Sequence, residues 1–142
     1  RLRDKRSGRE LRVLDVHLDH KSDEARREQI RMVMDECAQY APDFPQILCG
    51  DFNAGIDSAP IGYIRTVDGW REMYESVHGS GETGFTAHAF KGEEYKAEKS
   101  RRIDFIFYRG DVEVCDAEIV RDRKGAMYPS DHYFLFSEFT LR

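Results

Sequence analysis

Residues 46–53 have the sequence QILCGDFN, a short apolar run followed by a turn with polar side chains. The uncharged run 46–49 is typical of a strand buried in the centre of a sheet. Asp51 and Asn53, just beyond Gly50, favour a turn because their side chains hydrogen-bond to nearby backbone groups. The segment therefore predicts a central strand that ends in a carboxylate and an amide.

A strand and a helix are predicted ahead of this segment. The apolar residues of 11–18 indicate a mostly buried strand with His17 at its end. Ser22 is suited to cap a following helix, and Pro42 is expected to end it. The apolar residues of this helix recur at the i, i+3, i+4 and i+7 spacing of one face, namely Ile30, Val33, Met34 and Cys37. The chain thus opens as strand, helix and strand.

Two more helices and four more strands are predicted downstream. The expected ranges are 60–67 and 69–77 for the helices, the second including Trp70, and 85–90, 102–109, 112–121 and 132–141 for the strands. An early crossover followed by adjacent strands predicts a mixed sheet packed against helices. We therefore expect an α/β fold.

Composition limits the class of protein. The chain has 142 residues, of which 40% are hydrophobic, and a formal net charge of −5. A chain of this length buries roughly 70% of its unfolded surface, which is enough for one domain with a core. No apolar run approaches the ~20 residues of a membrane span, so no membrane-spanning segment is expected. The acidic balance argues against a protein that coats duplex nucleic acid through many phosphate contacts. It does not argue against an enzyme that contacts a few phosphates beside a bound cation.

Side chains able to do chemistry stand where the predicted strands begin or end. They are His17, Asp51, Asn53, Asp104, Asp131 and His132. Open α/β sheets expose such positions in one crevice. Carboxylates bind hard cations such as Mg²⁺ or take a proton from water, an Asn amide donates to a phosphoryl oxygen, and a His binds or protonates that oxygen. The set therefore predicts metal-assisted hydrolysis of a phosphate ester, although each residue taken singly is also common in turns.

Three other kinds of site lack their sequence signatures. The five histidines include no H-x-x-x-H pair and the three cysteines no C-x-x-C pair, so a zinc centre is not expected. No G-x-S-x-G marks a serine nucleophile. The glycines at 79, 81 and 84 are not followed by the Lys-Ser/Thr of a phosphate-binding loop. A non-catalytic scaffold or binding module with the same fold stays as the alternative to an enzyme.

Four short motifs in order resemble the later motifs of the endonuclease/exonuclease/phosphatase superfamily, which includes the DNase I-like nucleases. They are His17-Leu18, Gly50-Asp-Phe-Asn53, Arg102-Ile-Asp-Phe-Ile106 and Ser130-Asp-His132. The resemblance covers nearly the whole chain. It implies a four-layer α/β sandwich, in which two mixed sheets face each other and helices cover both outer faces. Residues 1–142 would then be the C-terminal part of such a domain.

The resemblance also implies a role for each matching position. Asp51 would orient or deprotonate the attacking water, and Asn53 would hold a phosphoryl oxygen and position Asp51. His17 would donate to the scissile phosphate. Asp104 would orient His132, which would contact the phosphate as an acid or an electrostatic stabiliser. These expectations describe a nuclease or phosphatase site.

The implied cofactor is Mg²⁺, with Mn²⁺ as the alternative, and the residues implied near the metal are Asp51, Asn53 and Asp131. The superfamily's main metal-ligand Glu belongs to a part of the domain that precedes these motifs, and this sequence does not contain it. We therefore expect the isolated chain to be weak or inactive, and its sheet to need covering by the N-terminal half of the domain or by a second copy. The expected substrate is a phosphate ester, with nucleic acid, lipid and inositol phosphates left open.

Overall fold

The computed structural model describes residues 1–80, 84–95 and 102–142. Two sheets and three α-helices are formed within these ranges. In chain order the elements are β1 (Leu2–Arg3), β2 (Glu10–His17), α1 (Asp23–Cys37), β3 (Gln46–Asp51), α2 (Ala59–Thr66), β4 (Arg71–Glu72), α3 (Met73–His78), β5 (Asp104–Arg109), β6 (Val112–Val120) and β7 (Phe134–Leu141). This is the α/β class that the sequence predicts.

The larger sheet is mixed and has the strand order β1-β2-β3-β5-β4. β2 and β3 run parallel, because α1 carries the chain back across the sheet, and β3 pairs antiparallel with β5. The register aligns His17 with Asp51 and Asp51 with Asp104. Three residues that are far apart in the sequence therefore form one row across the end of the sheet.

The outer face of this sheet is covered by α1 and α2. Ser22 caps α1 as predicted, since its side chain accepts a hydrogen bond from the Ala25 N–H at 3.1 Å. Ile30, Met34 and Cys37 of α1 are buried in one core cluster with residues of β3, α2 and β5. The longest helix of the described ranges, α1, has 15 residues. None of the described helices is both long and apolar enough to cross a membrane.

The inner face of the sheet is covered only in part. β6 and β7 form a separate two-stranded sheet whose apolar residues, with Met73 of α3, pack on Leu11, Ile47 and Tyr108 at one end. Toward the other end, Val13 of β2 and Phe134 of β7 are 39% and 51% exposed. The packed end of this face is a second small core, and the open end contains the row that begins with His17.

Two predicted elements are wrong. Residues 85–90 do not form a strand, since Ala87 makes only an isolated bridge to His132. Ala89 and Phe90 have positive φ angles of 51° and 61°, which an extended strand cannot accommodate. Trp70 lies outside any helix, because residues 71 and 72 form β4 and the helix begins only at Met73. At residues 71 and 72, pairing with β5 overrides the local helical pattern.

Candidate active site

Three side chains converge at the end of the mixed sheet. Asp51, Asp104 and His132 each offer a ligand atom, and these atoms all lie within 4.8 Å of one another. All three residues are half-buried. They line an open crevice of about 650 Å³, together with His17 and Asp131. The structure thus brings most of the residues proposed from the sequence to one place.

The closest contact in the site joins β5 to the start of β7. Nδ1 of His132 lies 2.9 Å from Oδ2 of Asp104, so an ionised Asp104 accepts a hydrogen bond from the Nδ1–H group. Thr86 holds the backbone that carries this carboxylate, because its Oγ1 accepts hydrogen bonds from the N–H groups of Ile103 and Asp104 at 3.1 and 3.3 Å. Burial raises the pKa of Asp104, and so does the nearby Asp51, whereas Thr86 and His132 lower it. The site therefore holds two carboxylates that repel each other.

Asp51 is oriented by the turn that follows it. Its Oδ1 accepts a hydrogen bond from the Asn53 N–H at 2.7 Å, and its backbone carbonyl accepts one from the Leu18 N–H at 2.9 Å. Its second carboxylate oxygen, Oδ2, lies 3.5 Å from Nε2 of His17. His17 itself is 75% exposed, so the crevice is open to solvent on this side.

Asn53 adopts a left-handed conformation, with φ at 47°. Asn tolerates this region better than most residues. The side-chain Nδ2 donates to the carbonyl of Leu18 at 2.9 Å, which ties the turn after β3 to the end of β2. An amide nitrogen carries two hydrogens, so this single bond does not use up its donors.

The residue types at 50 and 52 are set by packing. Gly50 has φ at 131°, and a Cβ atom there would lie 1.9 Å from the carbonyl oxygen of Val16, so only glycine fits. Phe52 is fully buried, with its ring edge against Phe105 and Phe107. Its backbone N–H donates to the carbonyl of Ile103 at 2.8 Å. The GDFN motif therefore needs its Gly and Phe to present its Asp and Asn.

Asp131 occupies a different position from the other carboxylates. Its side chain is exposed and lines the crevice, but it is not part of the cluster of ligand atoms. Its backbone carbonyl accepts hydrogen bonds from the N–H groups of His88 and Ala89. The neighbouring Ser130 Oγ accepts one from the His132 N–H at 3.1 Å. This turn is therefore held by its backbone and leaves the Asp131 carboxylate in solvent.

Several residues near the site are less visible in the sequence. His88 is fully buried against the rings of Tyr128 and Tyr133, and burial lowers its pKa. Glu72 and Arg102 form a buried ion pair, in which Arg102 precedes Asp104 by two residues. No spacing rule connects residues 30 positions apart, so sequence alone could not pair them. Thr83, three residues before Thr86, lies outside the described residues.

The residue set fits a hard divalent cation. Mg²⁺ is usually held by one or two carboxylates, with water and substrate oxygens completing its shell. Asp51 and Asp104 supply two such carboxylates in an open crevice, and a bound cation would offset their mutual repulsion. The imidazole of His132 already has one nitrogen engaged with Asp104. Oxygen donors thus dominate the site.

Known proteins resemble this chain over nearly all of its length. Nocturnin of Drosophila melanogaster is 30% identical over 99% of the chain, which covers 27% of that protein. The structure of an endonuclease/exonuclease/phosphatase from Bacteroides vulgatus superposes with a TM-score of 0.78 at 25% identity, over 99% of this chain and 53% of that one. A mannosyl-6-phosphatase from Bacteroides thetaiotaomicron gives 0.80 at 21% identity, over 98% and 54%.

The chain thus spans about half of the solved structures it matches and a smaller share of the curated relative. Their shared architecture is the DNase I-like fold, of which this chain has the mixed α/β part described above. The sequence profile of the Endonuclease/Exonuclease/phosphatase family matches residues 2–132. With a match over most of its length and with the site at the expected end of the sheet, the chain belongs to the endonuclease/exonuclease/phosphatase family.

Proposed function

We propose that the full-length protein is a divalent-metal-dependent phosphoesterase that hydrolyses phosphodiester or phosphomonoester bonds. The observation that carries this proposal is the convergence of Asp51, Asp104 and His132, whose ligand atoms lie within 4.8 Å of one another in an open crevice. Family membership supports the same reaction class, because the family is named for nucleases and phosphatases.

Asp51 is the proposed acceptor of a proton from the attacking water. The Asn53 N–H fixes one of its oxygens at 2.7 Å and leaves Oδ2 facing the crevice side near His17. A carboxylate held in this way keeps a lone pair of its free oxygen directed into the crevice. The side chain therefore does not have to reorient when it takes the proton from the water. Asn53 and His17 are the proposed donors to phosphoryl oxygens.

His132 is the proposed acid or electrostatic stabiliser. Asp104 accepts from its Nδ1 at 2.9 Å, which fixes the orientation of the ring and directs the other nitrogen, Nε2, to the substrate. In its protonated form the imidazole can donate the Nε2 proton to a phosphoryl or leaving oxygen. The pair therefore acts as one unit.

The proposed metal is Mg²⁺, or Mn²⁺ in its place, and the residues proposed near it are Asp51, Asn53 and Asp131. Asp104 is added to this set because its carboxylate lies within 4.8 Å of the ligand atom of Asp51. When bound, the cation would supply Lewis-acid stabilisation of the negative charge on the phosphoryl group. The proposed substrate is a phosphate ester, with nucleic acid among the candidates. A sugar phosphate is another candidate, suggested by the name of the Bacteroides thetaiotaomicron phosphatase.

The isolated chain 1–142 is proposed to be weak or inactive. Its sheet leaves Val13 and Phe134 exposed beside the site, and the chain spans only about half of the structures it matches. The apolar face would be covered by the N-terminal half of the same domain or by a second copy.

The proposal is tested on the full-length protein with bis(4-nitrophenyl) phosphate and 4-nitrophenyl phosphate as a generic diester and monoester. We expect Mg²⁺-dependent turnover of at least one, its loss on adding EDTA, and its loss in Asp51→Asn. Asp57→Asn is the matched control, since Asp57 is an exposed carboxylate in the loop after the same strand. Turnover that survives in Asp51→Asn, or a full rate from chain 1–142, would contradict the proposal. A well-folded protein that turns over no ester would favour the scaffold alternative.

A further inference from the structure

A buried ion pair joins Glu72 to Arg102, two residues before Asp104, and plays no part in the mechanism above. Nη2 of Arg102 donates to Oε2 of Glu72 at 3.1 Å, and each side chain is 1% exposed. The guanidinium carbon also lies 4.9 Å from the ring centroids of both Tyr74 and Phe105. The arginine is therefore fixed by one carboxylate and two aromatic rings.

This pair is poorly suited to act as a stabilising contact alone. Moving two charges out of water costs free energy that their mutual attraction recovers only when the other hydrogen-bonding groups are also satisfied. Among the described residues, no group accepts from the buried Nε and Nη1 of Arg102. Burial also raises the pKa of Glu72, against the lowering effect of Arg102. Hydrophobic residues of similar volume would avoid these costs.

The location of the pair suggests another role. Glu72 accepts hydrogen bonds from the N–H groups of Tyr74 and Glu75 at the start of α3, so its carboxylate is already fixed in place. Through Glu72, Arg102 is attached to the start of α3. Arg102 itself precedes Asp104 by two residues.

Residues 102–104 connect several parts of the site. The carbonyl of Ile103 accepts from the Phe52 N–H in the GDFN motif, and the Ile103 and Asp104 N–H groups donate to Thr86. A shift of this segment would therefore move both the turn that carries Asp51 and the carboxylate that meets His132.

We propose that Glu72 and Arg102 are positioning residues that hold residues 102–104 in place, so that the Asp104 carboxylate meets Nδ1 of His132. The catalytic consequence rests on the proposed function, but the geometric claim does not. Without the pair, the 2.9 Å contact between Asp104 and His132 lengthens or becomes mobile. Fixed geometry of this kind matters because a displacement of about 1 Å can cost about 100-fold in rate.

The test is a double variant of the full-length protein, Glu72→Gln with Arg102→Met. It removes both charges together, keeps an oxygen to cap α3, and leaves no unpaired ion in the core. The direct readout is the NMR resonance of the His132 Nδ1 proton, which the bond to Asp104 protects from exchange. We expect this resonance to be lost or broadened while thermal unfolding stays cooperative. In turnover assays we expect kcat to fall about 100-fold with little change in KM.

The matched control is Arg12→Met with Glu36→Gln. Arg12 also pairs with a glutamate, at 3.0 Å, and lies 4.7 Å from the ring of Tyr40, but it stands at the opposite end of β2 from His17. This control should leave the His132 resonance unchanged. A folded Glu72/Arg102 double variant with an unchanged resonance and unchanged kcat would overturn the inference.

If the double variant does not fold, Arg102→Lys decides the question, because it keeps the charge but loses the planar guanidinium. The inference then requires a weakened His132 resonance in a folded protein, and an unaltered resonance would refute it. Failure of the proposed function is distinguishable from failure of this inference. If the wild-type protein hydrolyses no ester but the variant loses the His132 resonance, the positioning role stands and the proposed enzymatic function does not.

Discussion

The two faces of the mixed sheet differ in both packing and chemistry. On the outer face, Leu48, Phe105 and Phe107 are at most 1% exposed beneath α1 and α2. On the inner face, alternate residues of the same strands include Asp51 and Asp104, and the face is open at that end. Because neighbouring residues of a strand point to opposite sides, each strand contributes to a dry core and to a polar crevice at once.

This difference separates stability from function. Apolar burial on the outer face supplies free energy of folding, whereas the inner face holds two carboxylates close together at a cost that a bound cation would offset. Substitutions on the inner face should therefore change mainly the rate of turnover, and substitutions on the outer face mainly the free energy of unfolding.

The largest expected effect comes from the inner face. In the full-length protein, His132→Ala should lower kcat/KM by about 10³-fold, equivalent to about 4 kcal/mol, because the proposed proton donor is removed. The free energy of unfolding should change by only about 1 kcal/mol, since one half-buried hydrogen bond is lost. Urea denaturation and steady-state kinetics measure the two quantities. The exposed His20→Ala is the control, and equal rates for both variants would remove His132 from the mechanism.

The next effect belongs to the outer face. Phe107→Ala should lower the free energy of unfolding by about 3–5 kcal/mol, because it leaves a cavity against Phe52 and Phe105. At a temperature where the variant is folded, kcat should change little. Phe90→Ala replaces a phenylalanine that is 59% exposed and should cost about 0.5 kcal/mol or less. A large loss of kcat in folded Phe107→Ala would show that the two faces are not separable.

The smallest effect is a dependence of stability on pH. Burial and the nearby Asp51 raise the pKa of Asp104 above its ordinary value of 3.8, so the native state binds more protons than the unfolded state just above that pH. The contribution of Asp104 to the stability of the metal-free protein should therefore be lost as pH rises from the ordinary to the raised value. Asp104→Asn should remove this contribution, whereas a contribution of the same sign from Glu72, whose pKa burial also raises, should remain. Denaturation midpoints measured across pH 3–7 at roughly constant ionic strength test the sign. An identical slope in wild type and Asp104→Asn would contradict it.

Much of the fold could be predicted because its main elements have strong local patterns. The apolar spacing and the Ser22 cap predict α1 and its start, although the helix ends at Cys37, before the predicted stop at Pro42. The uncharged run 46–49 predicts the central strand. The strand predicted at 85–90 was wrong, because Thr86 uses its side chain to bind the backbone of Ile103 and Asp104. Such a long-range contact leaves no periodic trace in a sequence.

The site shows the same division. The sequence alone determined which residue types were available, namely carboxylates, an amide and imidazoles at strand ends next to turn residues, since these follow from local propensity and side-chain chemistry. Only the tertiary structure decided that His17, Asp51 and Asp104 form one row, that His132 meets Asp104 at 2.9 Å, and that Asp131 stays in solvent. The physical reason is register: strand pairing and a single glycine at position 50 fix distances between residues that no spacing along the chain specifies.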